Sequence, residues 1–287
     1  ILCAHVNFSG MAVVVAKLIG AKTVLNVYGL ELWSGLSKDA SFGLKKVDAI
    51  ISDCQNTKNY LVTNNLRNER DITVIWDCVD LDKFKPYEGD IEKIKSKYAI
   101  DNKSKKIILT LGRIAREAKH KGYHRLIEMF AMLDQEKFYL VLAGKGNMVE
   151  DLKELVKQKN ISSNVCFTGM IDEADMAAIY SIPDVFSLVS EVGIGMGEGI
   201  PLTPLEAMAC GTPIVVGNQD GSSEAIVENK NGLVIDSFDL EAHKLAIEKL
   251  TDINHSKTYA EQARKVAVAV FSYSRFIKEH RSFVSKD

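Results

Sequence analysis

The sequence predicts an α/β protein of two domains, each built on a parallel sheet with helices on both faces. Three observations carry this. Short runs rich in Val, Ile and Leu alternate with longer amphipathic stretches: AKTVLNVYG (21–29), VDAIISDC (47–54), KKIILTLG (105–112), FYLVLAG (138–144), DVFSLVS (184–190) and TPIVVG (212–217). Strands buried on both faces read as such runs, and parallel neighbours need helix-length connections between them. The chain has 287 residues, 46% hydrophobic and 26% charged, enough for two cores of ordinary size. Finally, KPYEGDIEKIKSKYAIDNKSK (85–105) is charged and strand-poor, and it divides the chain into a shorter and a longer block.

These divisions give a first domain over 1–85, a linker over 86–104, a second domain over 105–270 and a terminal segment over 271–287. The second block carries enough strands for a complete doubly wound domain. The first carries too few, so its N-terminal half is expected to precede Ile1. Between the runs the helices are legible. Leu126, Ile127, Phe130 and Leu133 fall at helical spacing within 123–133, and Asp172 is placed to cap a helix over 174–180.

Composition excludes several classes. A formal net charge of -2 offers no concentrated basic face, so no nucleic-acid partner is expected. The five cysteines, Cys3, Cys54, Cys78, Cys166 and Cys210, form no C-x-x-C pair and read as reduced thiols of a cytoplasmic protein. No stretch reaches the ~18 to 20 apolar residues of a membrane-spanning helix, and no export signal follows Ile1.

The chemistry concentrates in VSEVGIGMGEGIPLTPLEAMACGTPIVV (189–216). A strand ends near Ser190, glycines stand at 193, 195, 197 and 199, and a helix follows. Such a strand-loop-helix presents free N–H groups and a positive helix end to an anion. Glu198 and Glu206 stand in an E-x7-E arrangement that can turn both carboxylates toward one ligand. Thr203-Pro204-Leu205-Glu206 also spells a capping box, with Thr203 as N-cap and Glu206 at the third helical position, so at this level Glu206 is equally a cap or a ligand. Asp80-Leu81-Asp82 spells D-x-D, a spacing that can hold a divalent metal through paired carboxylates, but it lies in the V-D-x-x-x-F-x-P segment that precedes the linker and is rejected as a metal site; no metal ligand set is expected. His120 and His124 flank a lysine-rich turn and read as surface imidazoles, and His5 as a core or rim histidine.

The chain resembles family 4 of the retaining glycosyltransferases, a GT-B family. The resemblance rests on the glycine-rich segment just described, on LTLGRIAREAKHKGYHRLIEMF (109–130), VLAGKG (141–146) and VCFTGMIDEADMAAIYSIPDVFSLVS (165–190). VDAIISDC and WDCVDLDKFKP (76–86) resemble the last strands of the acceptor domain, and FSYSRFIKEHRSF (271–283) the helix that crosses back to it. It implies two Rossmann-like domains facing across a cleft and transfer of a sugar from a nucleotide-diphosphate sugar, with retention, to a glycan, a lipid-linked acceptor or a small molecule. No cofactor or metal is implied beyond the donor substrate itself. A cytoplasmic enzyme of polysaccharide or glycolipid biosynthesis, in peripheral contact with the inner membrane face, fits this resemblance. Epimerases and phosphorylases share the fold, and a catalytically silent sugar-nucleotide-binding subunit would share the site.

The same resemblance assigns roles. Arg113 and Lys121 would contact the diphosphate and Glu198 would face the transferred sugar, these three being the catalytic set. Gly112, Gly199, Ile200, Pro201, Leu202 and Thr203 would surround sugar and phosphate, Ile171 would edge the base, and Glu206 would bind the ribose hydroxyls. Tyr28 and Glu31, in NVYGLELW (26–33), would stand on the acceptor side. Three positions depart from the pattern: the Arg113 to Lys121 spacing is two residues longer, making Lys119 an alternative; Pro201 replaces a frequent Gly; and Tyr28 replaces a frequent His.

Overall fold

The computed structural model describes residues 1–193 and 197–285. Gly195, one of the four loop glycines, lies outside the described residues. Among the described residues ten strands form two all-parallel sheets. The first contains Leu2–Cys3 (β1), Val24–Val27 (β2), Ala49–Ser52 (β3) and Ile72–Val74 (β4), in the order β1-β2-β3-β4. Lys106–Leu111 (β5), Phe138–Ala143 (β6), Val165–Gly169 (β7), Val185–Leu188 (β8), Ile214–Gly217 (β9) and Gly232–Ile235 (β10) form the second, in the order β10-β9-β8-β5-β6-β7. All six expected runs are strands.

The second sheet is buried on both faces, and alternate residues divide between two cores. Ile107, Leu109, Val141, Phe186 and Val216 face one cluster, while Ile108, Leu140, Leu142, Val185 and Val215 face the other. The Tyr123–Phe130 helix covers the second cluster with Leu126, Ile127 and Phe130, and Leu133 follows them into it.

Three local expectations change. Segment 86–104 is a packed element: the Ile91–Lys97 helix, capped by Asp90, buries Ile94 with Tyr98 and Ile100 in the first cluster. Residues 76–86 form no strand; β4 precedes them, and they meet the chain's end through Val79 N donating to Phe271 O at 2.9 Å. Asp172 does not cap its helix, because Lys97 Nζ draws its carboxylate away at 2.6 Å; a 3-10 turn over Glu173–Asp175 opens that segment instead. Asp80 Oδ1 accepts from the N–H groups of Asp82 and Lys83, so the D-x-D spelling closes a turn.

The final Tyr273–Val284 helix ties the two sheets together. Arg275 Nη2 donates to the carbonyls of Trp76 and Asp77, at 2.8 Å each, and Phe283 and Val284 line a groove with Leu2, Val24 and Ile51 of the first sheet.

Candidate functional site

From β5 the chain runs outward to β6 and β7, then returns to β8 on the opposite side of β5. The carboxyl ends of β5 and β8 therefore flank a switch point, where open α/β sheets bind ligands. Gly112 and Arg113 leave β5 there, and the 189–201 loop leaves β8 beside them.

Lys121 folds back over the start of its own loop. A Cβ placed on Gly112 would lie 3.5 Å from Lys121 Cδ, an ordinary contact, but 2.9 Å from the Tyr123 hydroxyl, so that hydroxyl is what a larger residue would crowd. Lys121 Nζ pairs with Glu198 Oε1, and His120 Nε2 lies 3.0 Å from the same oxygen. Burial opposes ionisation of Glu198, but the His120 bond and the Lys121 charge outweigh it and hold the carboxyl below its ordinary range. Lys121, rather than the exposed Lys119, is the lysine drawn onto Glu198. Arg113 is exposed and makes no hydrogen bond or ion pair among the described residues.

His120 corrects the reading of a surface imidazole: it is 3% exposed, and its Nδ1 is buried without a partner. His124 is half-buried, and burial lowers its pKa. Their burial follows from Glu191 N donating to His120 O at 2.8 Å and from Arg125 pairing with Glu191, which fold the turn beneath the loop after β8.

Glu206 sits in different surroundings. The helix runs Leu202–Ala209 with Pro201 as its N-cap, so Thr203 lies inside the first turn and the capping box does not form. The Thr203 hydroxyl is buried without a partner. Glu206 Oε2 accepts from the Tyr180 hydroxyl at 2.6 Å, and its carboxylate opens on a cleft of about 610 Å³ lined also by Asp80, Leu81, Leu202 and Tyr273. Burial raises its pKa, and the Tyr180 bond only partly offsets this. Ile171, after β7, is half-buried against the first core.

The loop between the two glutamates is pinned from the other half of the molecule. Asp53, at the carboxyl end of β3 and 4% exposed, accepts from Ile200 N at 3.0 Å. A Cβ on Gly199 would meet Asp53 Oδ2 at 1.8 Å and Tyr28 O at 2.5 Å, which explains glycine there. With the N–H of Ile200 taken and none on Pro201, the loop and first helical turn still offer those of Gly199, Leu202 and Thr203. Burial pushes the Asp53 carboxyl up to about 6. Asp220 Oδ2 accepts from Glu198 N at 3.1 Å and from Ser190 Oγ at 2.7 Å, fixing the other end of the loop. Glu224 reaches in the opposite direction: its two oxygens accept from the N–H groups of Gln55 and Asn56 and from Trp76 Nε1. Glu31 turns inward to accept from Tyr28 N at 2.7 Å, leaving the Tyr28 ring exposed at the cleft edge.

Sequence reasoning missed His120, Asp53, Asp220, Glu224 and Tyr180. A polar residue closing an apolar strand, as in IISDC (50–54), is a signal for Asp53; the others become visible only through long-range contacts.

Residues 90–266 match the family described as glycosyl transferases group 1. The chain belongs to that family. Among group 1 glycosyl transferases it is 28% identical over 246 residues to an uncharacterised glycosyltransferase of Methanocaldococcus jannaschii, covering 84% of this chain and 59% of that one. A GDP-mannose-dependent alpha-(1-6)-phosphatidylinositol monomannoside mannosyltransferase of Mycobacterium tuberculosis is 27% identical over 215 residues, covering 73% of this chain and 54% of its own length. The chain thus spans a little over half the length of these curated relatives. Its fold is that of HepE of Anabaena, solved with UDP, at a TM-score of 0.86 and 17% identity over 100% of this chain and 79% of that one. Sucrose-phosphate synthase of Thermosynechococcus elongatus superposes at 0.81 with 18% identity, over 99% of this chain and 72% of that one. This is the GT-B arrangement.

Proposed function

We propose that this group 1 glycosyl transferase moves a sugar from a nucleotide-diphosphate sugar to an acceptor hydroxyl with retention and without a divalent metal. The observation that carries the reading is the placement at the switch point of Arg113 and Lys121 after β5 and of the Leu202–Ala209 helix after β8, with Glu206 of that helix open to a cleft. Breaking the anomeric C–O bond leaves a nucleoside diphosphate, and its growing negative charge is met by two cations and a helix N-terminus. Glu206 accepts from the ribose hydroxyls. Glu198 faces the transferred sugar while His120 and Lys121 keep it ionised. The acceptor oxygen attacks on the face the diphosphate leaves and passes its proton to a phosphate oxygen, so no enzyme nucleophile is needed. UDP named with HepE and GDP-mannose named with the mycobacterial enzyme are both compatible donors' nucleotides.

Thermal shift with UDP-, GDP- and ADP-sugars tests donor binding; a ligand at 100 times its dissociation constant adds about 2.7 kcal/mol. Turnover should survive EDTA. Activity abolished by EDTA and restored by Mg or Mn would give the diphosphate a metal partner and remove Arg113 and Lys121 as its counter-charges. A requirement for inorganic phosphate would make the protein a phosphorylase.

A further inference from the structure

A second pocket, of about 570 Å³, opens between the halves on the far side of the same loop. Its wall in the first half is Trp33 and the Gln55–Thr63 helix, with Asn56, Asn59, Tyr60 and Asn64; its wall in the second includes Gln219. Among the described residues none of its lining side chains is charged, in a chain with 26% charged residues. Trp33 and Tyr60 stand edge to face with centroids 6.1 Å apart. Neighbours hold only part of the amide chemistry. Gln55 Nε2 donates to Asn59 Oδ1, Asn64 Nδ2 donates to Tyr60 O, and Gln219 Nε2 donates to Asn218 Oδ1. The Asn56 carboxamide, the Tyr60 hydroxyl and Trp33 Nε1 make no hydrogen bond among the described residues.

The pocket belongs with the transfer site. Gly197, the residue before Glu198, packs so close to Trp33 that a Cβ there would meet its ring at 2.9 Å, and Gln219 adjoins Asp220, which holds Glu198 N. We infer that this pocket is a subsite for a neutral saccharide, seating a ring of the acceptor beyond the hydroxyl that reacts. Amides that can both donate and accept match the adjacent hydroxyls of a pyranose, and aromatic faces match its C–H surface. A phosphate-bearing headgroup would need a cation here, and the lining supplies none among the described residues. The assignment rests on the transfer reading for its role in catalysis, but binding can be measured apart from it.

The test is saturation-transfer NMR on the full chain with maltose and mannobiose, and with glycerol 3-phosphate as the anionic comparator. A saccharide should give signal and glycerol 3-phosphate none, and Asn56→Ala and Asn59→Ala should each cut the saccharide signal at least fivefold while the melting temperature stays within a few degrees of wild type. Two separate positions keep the test decisive if one variant fails to fold. No saccharide signal, an unchanged signal in the folded variants, or preference for glycerol 3-phosphate overturns the subsite. Nucleotide titration on the same samples separates the two readings: nucleotide binding without saccharide binding removes the subsite alone, and saccharide binding without nucleotide binding removes the transfer reading alone.

Discussion

Glu198 and Glu206 bracket one loop and the first turn of one helix, and their surroundings are opposites. On the Glu198 side two cationic or protonatable groups, Lys121 and His120, converge on a single oxygen, and the carboxyl is held below its ordinary range. On the Glu206 side the only neighbour bonded to the carboxylate among the described residues is the neutral Tyr180 hydroxyl, and burial lifts the carboxyl above its ordinary range. One glutamate has its charge compensated by the protein, whereas the other keeps acceptor capacity for a ligand's hydroxyls. The pairing of like residues at fixed spacing therefore puts two carboxylates in opposite electrostatic settings.

The largest expected effect breaks the cationic side. Lys121→Ala should lower turnover about 100- to 1,000-fold, the usual loss for one transition-state donor, with Lys119→Ala near wild type as its control. Steady-state kinetics in which Lys119→Ala is the damaging change would shift the phosphate contact along the turn. Making the same substitution at both glutamates sharpens the contrast. Glu198→Gln strands a Lys121 side chain that is 15% exposed, and should cost about 3 kcal/mol in denaturant unfolding. Glu206→Gln keeps an acceptor for Tyr180 and should melt close to wild type, yet bind nucleoside diphosphate more weakly by about 1.5 to 3 kcal/mol. Calorimetric titration showing wild-type affinity for Glu206→Gln would remove Glu206 from the nucleotide site.

Acidification separates the two sides without mutation. Glu206, with a raised pKa, takes up its proton first as pH falls, and nucleotide affinity should decline while the Glu198–Lys121 pair is still charged. The stability terms have opposite signs. Glu198 stabilises the fold above its ordinary 4.5 and loses this as pH falls through its lowered value, whereas the Glu206 contribution is complete below 4.5 and is lost as pH rises through its raised value. Nucleotide titrations from pH 5 to 8 that show constant affinity would refute the Glu206 part. The smallest effect falls on Thr203. Since its hydroxyl caps nothing, Thr203→Ala should stay within about 0.5 kcal/mol of wild type in thermal melts, against the 0.5 to 2 kcal/mol of a lost cap.

Thr203 shows where the sequence stops being legible. The four-residue spelling was complete, but the helix entry is set by Asp53 holding Ile200 N from 147 positions away, and the helix starts at Leu202. His120 repeats the lesson, since its burial depends on partners at Glu191 and Glu198. What could be read was local: six apolar runs announce six strands, nearly continuous where both faces are buried, whereas Val24–Val27 alternates and carries Asn26. Strands β1, β4, β7 and β10 are not legible as apolar runs, being only two to five residues long and lying at sheet edges, where one side needs no partner. Placing Glu198 and Lys121 at one switch point needed the resemblance as well as the spacing.

The exchange of carboxylates between the halves has a consequence for building hybrids of related enzymes. Asp53 and Glu224 each reach into the opposite half, and their partners there are mostly backbone N–H groups, which nearly any residue supplies; Trp76 is the one side chain among them. A chimera joining residues 1–85 of one relative to the remainder of another should therefore keep its halves in register wherever an acid stands at both positions and an indole N–H meets the second. Glycine at 199, packed against Asp53, and Arg275 of the final helix, bonded to the carbonyls of Trp76 and Asp77, cross the same boundary, so a hybrid must keep these as well.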